Sequence, residues 1–180
     1  MRTAVKRARG DAGFSLLELL LALSLGLVLS AVALQSLLAD GQRSQRLGEQ
    51  FRQRSEQRRL LALIESDALA ATALSADPDP QLSLCSLAGR EPVLQLTTTA
   101  GVITYSRGAS PSSIWRGEVV MRCGPAYGMD GRLSSGAAQN RVVLDQLPPG
   151  QADGFSARLE SALGAVAVRL MGQELLLEVP

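Results

Sequence analysis

From Phe14 to Leu38 the chain is apolar at almost every position (FSLLELLLALSLGLVLSAVALQSLL), broken only by serines, Gln35, a glycine and one acid, Glu18. A helix over these roughly 25 residues reaches ~37 Å, enough to cross a hydrocarbon core of ~30 Å. Ala39 to Ala76 then changes to Gln, Arg, Glu, Leu and Ala, which predicts a continuing, amphipathic helix with a weak point at Asp40-Gly41. Leu47 and Phe51 share one face. Leu61, Ile64, Ala68 and Ala71 form an apolar stripe with Leu60 and Leu63 beside it, so Leu60 to Leu74 is expected to pack under a sheet. Asp77-Pro78-Asp79-Pro80 sets the expected end of the helix, because each proline disfavours helical geometry before it.

Beyond residue 77 the period shortens. Val93–Thr99 and Val102–Ser106 flank Ala100-Gly101 as a hairpin. Ile114–Arg116, Glu118–Arg122, Arg141–Asp145, Gly154–Glu160 and Ala165–Met171 read as further strands, and Gln173–Val179 as an edge strand or a frayed tail. Strands that follow one long helix predict an α+β fold with an antiparallel sheet packed against that helix. The expected division is 1–13, 14–38, 39–76 and a β-rich head at 77–180.

Composition removes several kinds of chemistry. The 180 residues contain no histidine, two cysteines, and one lysine, Lys6. Ser-His-Asp and Cys-His catalysis, His-ligated zinc and a four-cysteine metal site are therefore unavailable. No phosphate-binding glycine motif occurs. The expectation is a protein that is not an enzyme and holds no metal and no cofactor. Formal charge is +1 overall; residues 1–13 hold four basic groups and Asp11, or +3, leaving 1 − 3 = −2 for the remainder.

A carboxylate inside an apolar span costs about 2.5–3.5 kcal/mol at the helix centre, and less near an end. Ser15-Leu16-Leu17-Glu18 fits a capping box, which is one reading of Glu18. The wider pattern is more specific. A leader with Arg2, Lys6, Arg7 and Arg9 ends at Gly13. Phe14, Ser15, Leu16, Leu17 and Glu18 follow, and then the apolar helix. This resembles the class III signal sequence of type IV pilins and pseudopilins. The resemblance implies that a prepilin peptidase cuts after Gly13 and methylates the new amine of Phe14. It implies that Glu18 pairs with the terminal amine of a neighbouring pilin in a hetero-oligomeric filament. A buried charge is tolerated when an opposite charge stands beside it. The implied setting is the bacterial inner membrane, with the N-terminus cytoplasmic, the head periplasmic, and an assembly platform as a further partner. A secretory signal peptide ending near Ser30-Ala31-Val32-Ala33, or a plain single-span anchor, shares some of these features. Arginines lie on both sides of the span, so the positive-inside rule does not choose an orientation.

A second resemblance involves Ile103-Thr104-Tyr105, Ile114-Trp115-Arg116, Val142-Val143-Leu144-Asp145 and a Phe155 strand. That order is similar to PilW-type minor pilins and J-type pseudopilins. It implies a minor subunit that helps initiate or cap a type IV pilus, or a pseudopilin of type II secretion. Arg43, Arg46, Arg52, Arg54, Arg58 and Arg59 offer a basic face. It can be a solvated or lipid-headgroup-contacting surface, or a pilus-tip module for DNA or a surface. Only Phe51 is aromatic in that window, so stacking platforms for single strands are missing there. Cys85 and Cys123 in an exported domain are expected to form a disulfide, the alternative being two buried thiols. Gly124 to Ala138 is a glycine- and serine-rich loop, either a mobile binding surface or disordered.

Overall fold

A computed structural model describes residues 15–150 and 154–178, with the side chains of 39–44 and 46 excepted. The chain divides into two compact units, Met1–Phe51 and Arg52–Pro180.

One helix, α1 (Leu16–Leu69), crosses both units and runs without a break through Asp40-Gly41. In the first unit its Leu16–Leu38 stretch has a mean hydropathy of 2.4 and none of it is buried. It is long and apolar enough to cross a membrane, and its backbone groups are satisfied within the helix.

In the second unit eight strands follow: β1 (Ala71–Ser75), β2 (Glu91–Thr98), β3 (Gly101–Ala109), β4 (Glu118–Gly124), β5 (Gln139–Leu147), β6 (Phe155–Glu160), β7 (Ala165–Leu170) and β8 (Gln173–Glu178). The first five form an antiparallel meander in the order β1-β2-β3-β4-β5, and the last three form a separate antiparallel sheet, β6-β7-β8. The fold is α+β, with α1 residues from Leu60 onward packed on antiparallel sheet. Both sheets feed one core. Leu60 and Ile64 of the helix meet Leu94, Leu96, Ile103 and Leu144 of the larger sheet, and Phe155, Val166, Val168 and Leu170 of the smaller. Tyr105 and Phe155 meet edge to face at 6.5 Å, a favoured arrangement for buried rings.

Three expectations are corrected. The helix does not reach Ala76; it ends at Leu69, and Ala71–Ser75 leaves it to pair with β2. Prolines at 78 and 80 limit how far a helix can run but do not fix where it stops. Here the backbone partners offered by β2 outweigh the good helix propensity of Ala71 and Ala73. The expected stripe is incomplete rather than misplaced: Ile64 and Ala71 are buried and Leu61 and Ala68 pack against the core, but the helix also buries Leu60 and an acid, Asp67. Ile114–Arg116 is a turn, outside any strand. Of the motifs in the second resemblance, Ile103–Tyr105 lies in a strand, β3, while Ile114–Arg116 does not.

Gly117 closes the turn into β4 at φ 66°, and a Cβ there would sit 2.7 Å from the Leu147 carbonyl oxygen. Any side chain at that position strains the backbone and collides with β5.

Candidate functional site

Two sets of residues carry the functional argument, one in each unit. In the first unit, Ser15 opens α1. Its Oγ accepts from the Leu17 N–H at 3.3 Å, and its carbonyl accepts from Glu18 N–H at 2.9 Å. Ser15 thus acts as a helix N-cap through the Leu17 N–H, and the reciprocal Ser15–Glu18 bonds of a capping box are not formed among the described residues. Glu18 stands in the first turn, exposed, where the helix dipole favours a negative charge. It is the sole acid of the Leu16–Leu38 stretch. Gly13 and Phe14, the expected cleavage and methylation positions, lie outside the described residues.

In the second unit, the fold centres on Asp67, a residue sequence reasoning missed. The pairing Leu94–Tyr105 on β2–β3 and Tyr105–Arg122 on β3–β4 sets one row across the sheet, facing α1. Asp67 is fully buried and accepts four hydrogen bonds. Tyr105 Oη and Arg122 Nε reach its Oδ2 at 2.5 and 2.7 Å; Arg122 Nη2 and Tyr127 Oη reach Oδ1 at 2.8 and 2.7 Å. Those four donors fill the capacity of a carboxylate. Tyr127 Oη in turn is 3.1 Å from Ser66 Oγ, and Arg122 Nη1 donates to the Pro125 carbonyl at 2.8 Å. The Arg122 guanidinium also lies 5.6 Å from the centre of the Tyr127 ring.

The electrostatics follow from that geometry. Burial, then the Asp67 charge and hydrogen bond, push the Tyr105 phenol well above its ordinary value. Burial acts to lower the Arg122 guanidinium, but its hydrogen bond and charge interaction with Asp67 outweigh this and raise it. Burial also raises Tyr127. The ion pair locks the spine to the sheet, because no member can leave without stranding another. With every acceptor position occupied, Asp67 has none left for a substrate. The clue in the sequence was spacing: stepping from Leu60 by four and then three lands on Ile64 and Asp67, placing an acid on an apolar stripe.

On the opposite face of the same sheet, the segment between β1 and β2 is fastened as a strap. Gln95, Thr104 and Cys123 form one row through the Gln95–Thr104 and Thr104–Cys123 pairings. Cys123 is bonded to Cys85 of the strap, with Cα atoms 5.9 Å apart. Gln95 Nε2 donates to the Asp79 carbonyl at 3.2 Å, and Asn140 Nδ2 to that of Ser86 at 3.3 Å. Asp79 also caps a short turn at Pro80–Leu82, as its side chain accepts from Gln81 N–H. Among the described residues, no group of three or more His, Cys, Asp or Glu side chains could hold a metal.

The basic face is less uniform than its sequence. Arg52 pairs with Glu56 at 2.9 Å, one turn onward. Arg54, Arg58 and Arg59 are exposed. The side chains of Arg43 and Arg46 lie outside the described residues. The Gly124–Ala138 loop is tied down by an isolated bridge, Tyr127–Leu133, and by Tyr127 itself.

Residues 8–34 match the family model for the prokaryotic N-terminal methylation motif. The matched stretch is the kind of N-terminal segment found in type IV pilin-like proteins, and it covers only this end of the chain. No curated protein and no solved structure matches the chain. A pilin-type motif implies processing by a prepilin peptidase and assembly with other pilins, and proteins of this kind are in general structural rather than enzymatic. The motif and the apolar stretch of α1 fit anchoring in the inner membrane and assembly into a pilus.

Proposed function

We propose that the protein is a minor pilin-like subunit. It is cut after Gly13, methylated at Phe14, and assembled through α1 into a type IV pilus that it helps initiate or cap. The observation that carries this reading is a lone carboxylate, Glu18, in the first turn of a 23-residue apolar stretch that the chain itself leaves wholly exposed. In water such a surface is untenable, so it belongs in the bilayer before assembly and against other helices afterwards. Within that apolar packing Glu18 needs a cation. The amine created at Phe14 of a neighbouring subunit supplies one when the two helices are offset correctly along the filament. The Cys85–Cys123 bond supports an exported, periplasmic head, because disulfides persist in oxidising compartments.

The test is Glu18→Ala in a cell that makes the filaments. Expected is normal cleavage and membrane insertion, with the subunit lost from sheared filaments. Glu18→Ala filaments carrying the subunit at the wild-type level would remove the pairing role.

A further inference from the structure

The flank of the head between α1 and β5 has the makings of a peptide-binding site. β5 is the last strand of the larger sheet: β4 pairs with one edge, and no described strand pairs with the other. An open edge is a template for another strand. The gap beside it forms two adjoining hollows, of about 220 and 450 Å³, that share Val142 and Val143 as common lining. Arg59 and Trp115 line the first, and Arg141 and Gln139 the second.

The charges along this trough do not balance. Arg52 is neutralised by Glu56, and Asp145 accepts from the Arg116 N–H but keeps its charge, so two further cations, Arg59 and Arg141, stand against one carboxylate. Arg59 and Arg141 are exposed and have no carboxylate partner among the described residues. Gln139 Oε1 is buried with no hydrogen-bond partner, although a buried acceptor ordinarily has one. The trough thus holds a free strand edge, an unanswered acceptor, apolar lining with a half-buried indole, and two unpaired cations. A nucleic acid, charged at every residue, would press phosphates against Glu56 and Asp145 in the same lining, whereas a strand that alternates acidic and apolar residues can keep its carboxylates on Arg59 and Arg141.

We propose that this trough receives an extended, acidic segment of a partner protein, which adds to β5 as a sixth strand and places carboxylates on Arg59 and Arg141. Main-chain hydrogen bonds would supply affinity, and the two arginines the preference for acids. The proposal goes beyond the assembly reading and needs neither cleavage at Gly13 nor pairing at Glu18.

The test uses the full chain held singly in lipid nanodiscs, with acetyl-(Glu-Val)₄-amide as probe. Fluorescence of Trp115, the only tryptophan, reports binding. Expected is binding about ten-fold tighter than for acetyl-(Lys-Val)₄-amide, the scale of two part-exposed ion pairs. Arg59→Ala with Arg141→Ala should erase that preference. N-methylation of alternate peptide amides should abolish binding, and the Arg141–Asp145 amides should gain protection from hydrogen exchange when the probe is bound. The proposal is overturned if neither peptide binds, if the lysine peptide binds equally well, or if the double variant keeps the preference. Tighter binding of a twelve-residue oligothymidylate would overturn it in favour of a nucleic-acid surface. Because single chains are measured, failure here leaves the assembly reading standing, and failure of assembly leaves this one standing.

Discussion

The two ends of α1 solve the same problem in opposite ways. Leu16–Leu38 is apolar around its whole circumference and none of it is covered by the chain. From Leu60 to Leu69 the same helix is apolar on one stripe, and that stripe is closed over by two sheets. Each end also carries an acid. Asp67 finds an arginine and two tyrosines within its own chain, whereas Glu18 stands exposed in the first turn. A helix whose apolar surface is satisfied internally belongs to a fold. One whose apolar surface and charge are both left open needs other molecules to complete it.

The comparison can be broken most severely at Asp67. Asp67→Ala should cost roughly 3–5 kcal/mol of head stability, because it leaves the Arg122 guanidinium buried without its counter-charge. Chemical denaturation of the nanodisc-held chain, followed by Trp115 fluorescence, measures this. Asp67→Leu combined with Arg122→Met should recover most of the loss; no recovery would mean that the tyrosine hydroxyls, rather than the charge pair, dominate. Next in size, Leu60→Ala should cost roughly 2–5 kcal/mol, while Leu27→Ala, exposed in the apolar stretch, should leave head unfolding unchanged. Equal costs at the two positions would erase the distinction between the ends. Replacing Cys85 and Cys123 by serine should cost roughly 2–4 kcal/mol in the same assay, the range for closing a loop of this size.

A subtler signature lies in pH. Burial and the Asp67 carboxylate raise the Tyr105 pKa, so its neutral form is favoured in the folded head. That contribution is whole below the unfolded phenol value of about 10 and is lost as pH climbs from there toward the folded value. Stability should fall above about pH 10, and Tyr105→Phe should flatten the fall. The smallest effect is expected at Arg54 and Arg58. Alanine there should change stability by no more than about 0.5 kcal/mol, because both side chains are exposed on a solvated face.

The sequence disclosed these regions unequally, for physical reasons. An apolar run with one acid needs no tertiary information to be seen, so Phe14–Leu38 stood out at once. Most strands were legible from alternation; the Val93 and Val102 runs became β2 and β3 around Ala100-Gly101. The end of α1 was not legible, since Ala71-Thr72-Ala73 tolerates helix or strand and pairing with β2 decides. Nor was the split into two sheets, which depends on which edges meet rather than on any local pattern. Asp67 was hidden because acids are common on solvated helix faces. Only its place after Leu60 and Ile64 marks it, and its partners Tyr105, Arg122 and Tyr127 lie 38, 55 and 60 residues away. Trp115 escaped the arginine argument for the same reason, since it comes from a distant turn.

The claim that the open end of α1 is an assembly handle begins with its processing, and the mature N-terminus tests it most directly. Mass spectrometry of the chain purified from membranes should give a first residue of N-methylated Phe14, with residues 1–13 absent. A chain still beginning at Met1, or one starting near Gln35, would contradict the account.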